Sequence, residues 1–206
     1  MKFITYLIVL IAYFSIVKCG DTKQTPLPII GERLGIAPNG DTIYPTVRPF
    51  KFVNQDSNWV SDKDFEGKIY VSDFFFTHCP TICPKVTAQM LRVYTAFKDS
   101  NSVKLISFSI DPRHDTVGRL KEYASGLNVT APKWNFVTGS KDTIFALARD
   151  YFSIATEDPN LPGGFDHSGR LILVDKKRRV RSFCDGTDAK QVDRFMKDIE
   201  TLLKEK

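Results

Sequence analysis

Runs of β-branched and aromatic residues alternate along the chain with segments whose apolar residues recur at three- and four-residue spacing. Runs of the first kind are typical of buried strands, and the second spacing is typical of helices that bury one face. Strands are predicted at 68–76, 103–109, 134–137, 170–175 and 180–183. Helices are predicted from the cysteine segment to about residue 98, over 116–126, after Ser140 and after Asp188, since both of these polar residues suit helix N-caps.

The predicted elements follow the order βαβαβα and then ββα. Strands joined by helices form right-handed βαβ units, and the last two strands form an antiparallel hairpin. We therefore expect an α/β protein with a central mixed sheet flanked by helices. A thioredoxin-like fold has this order of elements, here preceded by extra N-terminal β structure around residues 43–47.

Residues 1–19 have the pattern of an export signal. After Met1-Lys2 comes a largely apolar stretch to residue 17, followed by Lys18 and Cys19. As a helix this stretch would span about 22 Å, short of the roughly 30 Å hydrocarbon core of a bilayer. Cys19 stands where a bacterial lipoprotein signal places its lipidated cysteine, although Lys18 departs from the small residue expected before it. A lipoprotein signal, an uncleaved anchor and a secreted signal are the alternatives, and each places the remaining chain outside the cytoplasm near a membrane.

Composition and charge fit one compact domain behind a tether. The 206 residues are 42% hydrophobic and 26% charged, which is typical of a globular domain with a modest extension. We predict a proline-rich tether over 20–49 and a thioredoxin-like domain over 50–206. The formal net charge is +5, but the one dense basic run, at 175–181, lies between two predicted strands without an aromatic platform. That pattern indicates a solvated turn rather than a nucleic-acid surface.

Candidate chemistry lies between the first long strand and the first helix. Cys79 and Cys83 follow the strand predicted at 68–76, at the carboxyl end of a parallel strand, where functional crevices form. At a helix start, cysteines four positions apart lie one turn apart on one face, so their sulfurs can converge on each other or on a metal ion. The helix N-terminus also favours the thiolate form. This setting indicates redox or metal chemistry, with two buried cysteines acting as small apolar residues as the alternative.

Few residues are candidates for a third metal ligand. Thiolates are soft donors that select Cu(I), zinc or iron–sulfur centres, and a site that also holds Cu(II) needs an imidazole or a similar donor. His78 is adjacent to Cys79 and is expected to point away from the two sulfurs, whereas His114 lies in a polar loop. His167 lies in the loop predicted at 157–168, which enters a strand of the same sheet. Taken alone, a loop histidine is more often solvated than bound to a metal.

Four short motifs stand at separate places in the predicted domain. They are FTHCPTICP at 76–84, SIDP at 109–112 with Asp115-Thr116 after it, FDHS at 165–168 and DGT at 185–187. Their types and order resemble those of the Sco/SenC family, and the resemblance extends from about residue 50 to the C-terminus. Members of this family are membrane-anchored, thioredoxin-like proteins on the outer face of energy-conserving membranes. They bind copper and serve assembly of the dinuclear CuA site of cytochrome c oxidase.

The resemblance implies a copper site, for Cu(I) or Cu(II), formed by Cys79, Cys83 and His167. Asp111, in the second motif, is implied to support the ligands or to recognise a partner, with structural capping as the alternative. Cys184 has no counterpart expected in the family and is predicted to be a strand residue without a chemical role. The implied partners are a copper-accepting protein, namely subunit II of cytochrome c oxidase, and a membrane reached through the N-terminus. The implied location is the extracytoplasmic, periplasmic side of the cell envelope.

Several functions are compatible with these residues. The first is a copper metallochaperone, which passes its metal on by ligand exchange and is not an enzyme in the usual sense. The second is a thiol–disulfide oxidoreductase, in which Cys79 and Cys83 form a redox-active pair that keeps acceptor cysteines reduced. The third is a peroxidase, which is less favoured because Phe76 stands where peroxiredoxins place a threonine. An interaction module without chemistry is the remaining alternative.

Overall fold

The computed structural model describes residues 25–205, so the predicted export signal and Cys19 lie outside the described residues. The strands are β1 Gly35–Ile36, β2 Thr42–Ile43, β3 Lys51–Asn54, β4 Trp59–Ser61, β5 Ile69–Phe75, β6 Val103–Ser109, β7 Trp134–Thr138, β8 Ala155–Glu157, β9 Phe165–His167, β10 Arg170–Val174 and β11 Val180–Asp185. The helices are α1 Cys83–Phe97, α2 Val117–Gly126, α3 Lys141–Asp150 and α4 Ala189–Lys204, and a short 3₁₀-helix spans Asp62–Phe65. The five strands predicted after residue 50 are confirmed, with ends within two residues of those predicted.

Seven of the described strands form one mixed sheet in the order β11–β10–β5–β6–β7–β3–β4. The central strands β5, β6 and β7 are parallel, and the outer pairs are antiparallel. Every residue of β5 is buried, as its run of apolar residues predicts. The expected mixed sheet is therefore confirmed, and the carboxyl ends of three parallel strands meet at one end of the molecule.

Helices cover both faces of this sheet. Successive side chains of a strand point to opposite faces, so Phe74 and Phe75 of β5 lie on different sides. The Phe74 ring contacts Tyr151, just after α3, whereas the Phe75 ring contacts Tyr123 of α2, each at a centroid distance of 5.6 Å. Thr87 of α1 hydrogen-bonds the Tyr123 hydroxyl, which places α1 on the same face as α2. Within residues 25–205, no helix combines the length and the apolar character needed to cross a bilayer.

The two predicted N-caps differ in their hydrogen bonds. Asp188 caps α4 as predicted, because its carboxylate accepts the backbone N–H groups of Lys190 and Gln191. Ser140 occupies the N-cap position of α3, but its side chain makes no cap hydrogen bond. The position of α3 therefore depends on its buried apolar face, which includes Ile144.

The segment before the domain contains a small sheet and is hydrogen-bonded to the domain. β1 and β2 pair with each other. β2 ends at Ile43, so it covers only the start of the strand predicted around residues 43–47. Ile30 donates its backbone N–H to the carbonyl of Val180, and Val47 donates to that of Arg178, both at 2.8 Å. The described part of the predicted tether therefore lies against the β10–β11 hairpin, and the domain boundaries proposed for the whole chain stay predictions.

The basic run at 175–181 is exposed at Lys176 and Lys177, as a solvated turn predicts, but its two ends are buried. Arg181 and Asp175 are each 5% exposed, and the Arg181 Nη1 lies 3.2 Å from the Asp175 Oδ2. Arg181 also donates to the Leu27 carbonyl at 2.5 Å and to the Glu205 carboxylate at 2.7 Å. These partners lie 154 and 24 positions away in the chain, so a local charge pattern does not reveal them.

We expect Asp175→Ala to destabilise the protein by about 3 kcal/mol. The substitution leaves the buried charge of Arg181 with Glu205 and backbone carbonyls as its partners, and breaking a buried pair costs roughly 3–5 kcal/mol. Urea unfolding followed by circular dichroism measures the free energy of unfolding. Asp193→Ala is the control, because the Asp193–Arg92 pair is exposed and such pairs contribute less than about 1 kcal/mol. Equal losses in the two variants would contradict a stabilising buried pair.

The prediction of a loop over 157–168 is wrong at both ends of that range, because the structure has the two strands of a β-hairpin there. β8 and β9 pair antiparallel, with Ala155 opposite His167. Gly163 and Gly164 end their connection with φ values of +84° and +81°, a region that glycine adopts readily. Strands of three residues are too short to show an alternating pattern. The prolines and glycines between β8 and β9 therefore favour a loop over the whole segment.

Candidate metal centre

The two predicted site cysteines lie where β5 passes into α1. β5 ends at Phe75, and α1 begins at Cys83 with Pro84 in its first turn. Cys79 therefore lies in the turn before the helix rather than inside its first turn, which differs from the predicted placement. The two thiols are free and still converge across this turn.

His167 completes a compact cluster with the two sulfurs. Its Nε2 atom lies 3.1 Å from the Sγ of Cys83 and 3.9 Å from the Sγ of Cys79. The three donor atoms lie within 4.8 Å of one another, and all three residues are buried. The structure thus brings together three predicted site residues, although His167 lies 88 positions after Cys79.

Close packing at two glycines holds the β8–β9 hairpin against the cysteine turn. The ring of Phe76, which follows β5, contacts the His167 ring at a centroid distance of 5.3 Å. A Cβ atom on Gly163 would lie 2.7 Å from the Phe76 ring, and one on Gly169 would lie 3.0 Å from Ile82. A side chain at Gly163 would clash with the Phe76 ring, and one at Gly169 would press on Ile82, so the glycines allow the backbone to approach closely and carry His167 to the sulfurs.

The surroundings give the three donor groups different acidities. Burial acts to raise the pKa of the Cys79 thiol, but hydrogen bonds from the backbone of Cys83 and Thr81 outweigh burial, and the net pKa is lowered. Burial raises the pKa of Cys83, and the neighbouring Cys79 sulfur raises it further. Burial also lowers the pKa of His167, which favours a neutral imidazole. The cluster therefore contains one thiol with a lowered pKa, one thiol that holds its proton and one imidazole that favours the neutral form.

Asp115 positions the turn that carries Cys79, a role that sequence reasoning missed. Its buried carboxylate accepts the backbone N–H of Thr77 at 3.1 Å and the Thr77 hydroxyl at 2.6 Å. The same carboxylate accepts the hydroxyl of Ser109, the last residue of β6, at 2.6 Å. The Asp-Thr pair that follows the second motif was the available signal, but its partner Thr77 could be identified only from the structure.

Asp73 is a second buried carboxylate that sequence reasoning missed. It lies in β5 and accepts the Ser107 hydroxyl at 2.5 Å, and the Ser107 oxygen accepts the indole N–H of Trp134 at 2.8 Å. Burial raises the pKa of Asp73 to about 7. Its charge, when present, acts to raise the pKa of Cys83 further. The available signal was a carboxylate inside an otherwise apolar strand.

Asp111 lies in a different cluster from the one that it was predicted to support. Its Oδ2 lies 2.5 Å from the Nδ1 of His114 and 3.4 Å from the Nε2 of His78. Among residues 25–205, the hydrogen bonds and ion pairs of the Asp111 side chain join it to these two histidines, not to the cysteines or His167. His78 accordingly contacts Asp111 rather than the sulfurs.

Cys184 lies apart from both clusters. It stands in β11 opposite Leu171 and is buried. Burial raises the pKa of its thiol to about 12, so the thiol stays protonated at neutral pH. That Cys184 has no chemical role stays a prediction.

Two sulfurs and one imidazole nitrogen form a soft donor set that suits copper or zinc. Without a metal, the same two sulfurs are suited to form a disulfide with each other. The fold and the cluster together define a thioredoxin-like protein with a buried dithiol–imidazole site at the carboxyl end of its parallel strands.

Within that class, the chain belongs to the SCO1/SenC family, which it matches over residues 40–204. It is 32% identical to the SCO1 protein homolog of Bacillus subtilis over 163 residues, which are 78% of this chain and 84% of that relative. It is 30% identical to the mitochondrial SCO1 homolog 1 of Arabidopsis thaliana over 66% of this chain, but spans only 41% of that longer relative.

Solved structures of family members share the fold. A SCO1/SenC family lipoprotein from Bacillus anthracis superposes with a TM-score of 0.70 at 30% identity, covering 77% of this chain and 95% of that chain. BsSco, a member of the Sco family of cytochrome c oxidase assembly proteins, has a TM-score of 0.70 at 29% identity, covering 88% and 100%. Copper-bound ScoI of Bradyrhizobium japonicum has a TM-score of 0.63 at 27% identity, covering 76% and 99%. These similarities confirm the thioredoxin-like fold and the family.

Proposed function

We propose that this protein is a copper metallochaperone that holds copper through Cys79, Cys83 and His167 and delivers it to the CuA site of cytochrome c oxidase. The observation that carries the proposal is the approach of the His167 Nε2 to within 3.1 and 3.9 Å of two free thiols. Two relatives support it. ScoI of Bradyrhizobium japonicum binds copper, and BsSco belongs to a family of cytochrome c oxidase assembly proteins.

The three donor groups would take part in copper uptake in different ways. Cys79 is the first ligand, because its thiol loses a proton most easily. Copper then replaces the proton that Cys83 holds, since a metal ion binds thiolate rather than thiol. His167 needs no deprotonation, because its imidazole is already favoured in the neutral form. Each copper ion bound therefore releases protons from the two cysteines.

Release of copper depends on an opening that does not disturb the main sheet. His167 belongs to the β8–β9 hairpin, which forms a separate two-stranded sheet. A small movement of this hairpin withdraws the imidazole while both sulfurs keep the metal. A thiolate of the acceptor then takes the vacated position, and the copper passes on by stepwise ligand exchange.

We expect His167→Ala to weaken Cu(II) binding at least about a hundredfold, because changes even to residues behind metal ligands cost 10–100-fold in affinity. Cu(I) is expected to stay bound, since two thiolates form an adequate site for this soft ion. Competition titrations against a chromophoric chelator measure both affinities, and the sulfur-to-Cu(II) charge-transfer absorption reports on this cluster alone.

The matched control for this experiment is His114→Ala, which removes an imidazole outside the cluster. It should keep the charge-transfer absorption of the unmodified protein. A Cu(II) affinity that is read from the charge-transfer absorption and is unchanged in His167→Ala would exclude His167 as a ligand and would contradict the proposed site.

We further propose that the chain works outside the cytoplasm, held at a membrane through residues 1–19, with subunit II of the oxidase as the acceptor. The apolar N-terminal segment supports the membrane attachment. The relative from Bacillus anthracis is a lipoprotein, which supports attachment through Cys19 in particular. Mass spectrometry of the mature N-terminus distinguishes a lipidated Cys19 from a retained anchor or a cleaved signal.

Thiol–disulfide exchange is a second candidate function, favoured by the unequal acidity of the two cysteines. The acidic Cys79 would attack an acceptor disulfide, and Cys83 would then release the acceptor by attacking the mixed disulfide. Two electrons pass in this step, because the acceptor disulfide becomes two thiols while Cys79 and Cys83 become a disulfide. Accumulation of a mixed disulfide in Cys83→Ser is the test of this candidate.

A further inference from the structure

A second group of potential metal ligands lies beside the dithiol cluster. His78 follows β5, Asp111 follows β6 and His114 precedes α2, and their ligand atoms lie within 4.8 Å of one another. The Asp111 Oδ2 is shared between the two imidazoles, 2.5 Å from one and 3.4 Å from the other. The two rings lie at a centroid distance of 4.9 Å and an interplanar angle of 69°, so they converge rather than stack face to face.

The carboxylate in this group is buried and incompletely hydrogen-bonded. The Asp111 side chain is 2% exposed. Its Oδ1 atom has no hydrogen-bond partner among residues 25–205. A buried polar atom without a partner is costly, and a cation bound to the carboxylate, whose Oδ2 already faces both imidazoles, would supply a partner for Oδ1. This unpaired oxygen is an observation independent of the spacing of the two histidines.

The two histidines leave the group open to solvent. The His78 and His114 side chains are 42% and 67% exposed, so a hydrated ion reaches them without rearrangement of the core. Two arginines that are close to His114 in sequence are already paired. Arg113 lies 3.7 Å from Glu157, and Arg119 lies 3.4 Å from Glu122. These ion pairs reduce the repulsion that a cation would experience at the group.

We propose that His78, Asp111 and His114 form a second metal site, which binds a borderline divalent cation, Cu²⁺ most tightly. Two imidazole nitrogens and one carboxylate oxygen are donors that suit such ions, and Cu²⁺ stands highest among them in the usual order of affinities. The cluster of two sulfurs and His167 is softer and favours Cu(I). The chain thus carries two neighbouring sites that favour different oxidation states of one metal.

The proposed second site and the dithiol cluster are neighbours, because one turn of the chain and one aromatic ring contribute to both. His78 and Cys79 are consecutive, so one turn of the chain carries a ligand of each site. The Phe76 ring contacts His78 at a centroid distance of 5.0 Å and His167 at 5.3 Å. The solvent-exposed site therefore lies next to the buried one, where it would bind Cu²⁺ arriving from solution.

The test uses the full chain with Cys79→Ser and Cys83→Ser, which removes the thiolates. We expect this protein to bind one equivalent of Cu²⁺, with nitrogen hyperfine structure from two imidazoles in its electron paramagnetic resonance spectrum. Adding His114→Gln should weaken this binding at least about tenfold. The melting temperature of this variant is measured alongside, which separates the loss of a ligand from a loss of folding.

The same Cys79→Ser, Cys83→Ser protein carrying His167→Ala is the matched control, and its Cu²⁺ affinity should not change.

A second experiment retains the cysteines and loads the chain with one equivalent of Cu(I), which gives no paramagnetic signal, before Cu²⁺ is added. The same two-nitrogen spectrum should appear there and should weaken with His114→Gln. The proposal is wrong if His114→Gln leaves Cu²⁺ affinity unchanged, or if His167→Ala abolishes the binding instead. Both experiments test whether His114 is a ligand of the second site. A negative result would therefore not affect the proposed copper chaperone function, which depends on His167 and the two cysteines.

Discussion

Replacing Cys83 by serine is expected to lower the affinity of the dithiol cluster for Cu(I) and for Cu(II) by at least about a hundredfold. The substitution removes one of the two sulfurs, and a hydroxyl oxygen is a hard, weak donor for copper. His167 then faces an oxygen where its Nε2 now lies 3.1 Å from a sulfur. Competition titration of the reduced protein measures the loss. The proposed delivery to cytochrome c oxidase further predicts that cells with this variant as their only copy lack the CuA centre, which optical spectra of the membranes report.

Cys184→Ser is the matched control for this variant. It exchanges the same atoms at another buried cysteine, one that lies outside the cluster. Its copper affinity should equal that of the unmodified protein. If Cys83→Ser binds Cu(I) as tightly as Cys184→Ser does, the cluster is not the Cu(I) site. If Cys83→Ser instead accumulates a mixed disulfide through Cys79, thiol–disulfide exchange gains support beside metal binding.

Replacing Asp73 by asparagine is expected to make the protein more stable at pH 8 by about 4 kcal/mol and to have little effect at pH 4. Burial raises the pKa of Asp73 from an ordinary value of 3.8 to about 7. Between those two pH values the folded protein holds a proton on Asp73 that the unfolded chain has lost. The folded state therefore binds more protons, and its stability falls as the pH rises through this window. A shift of about three pKa units corresponds to about 4 kcal/mol.

Urea unfolding at pH values from 4 to 8 measures this effect as a widening difference between Asp73→Asn and the unmodified protein. Asparagine keeps an oxygen that accepts the Ser107 hydroxyl, so the hydrogen bond to β6 is preserved. Asp193→Asn is the control for the same exchange at an exposed carboxylate. A constant difference between Asp73→Asn and the unmodified protein would show that Asp73 stays ionised in the folded state.

Much of the sheet could be predicted because its signals are local. The run that became β6 and the spaced apolar residues of α1 each occur within a few turns of chain, and both elements formed as predicted. The β8–β9 hairpin could not be predicted, because it is held by contacts with residues distant in sequence. Gly163 packs against Phe76, which is distant from it in sequence. The three-residue strand β9 contains no pattern from which that contact could be predicted.

The candidate site likewise combines residues that local sequence signals predict with residues whose role depends on contacts distant in sequence. Cys79 and Cys83 were recognisable from their spacing after a buried strand, whereas His167 was singled out only by the family resemblance. Its approach to the sulfurs results from the packing of the hairpin. The pairing of Asp111 with His114 was not predicted, and the contact of Asp111 with His78 requires β5 and β6 to end side by side.

The course of α4 determines which part of the domain would face a membrane. The helix starts after Gly186, which hydrogen-bonds Gly169 near the cysteine turn, and it ends at the opposite pole, where Glu205 accepts the backbone N–H of Leu27. Its length of about 24 Å separates the two poles. If residues 1–19 attach the chain to a membrane, as proposed, the attachment lies at the pole of Glu205, and the dithiol cluster lies at the pole that faces away from the membrane. The proposed delivery to an oxidase then requires the copper site of the acceptor to lie at a similar distance from the lipid.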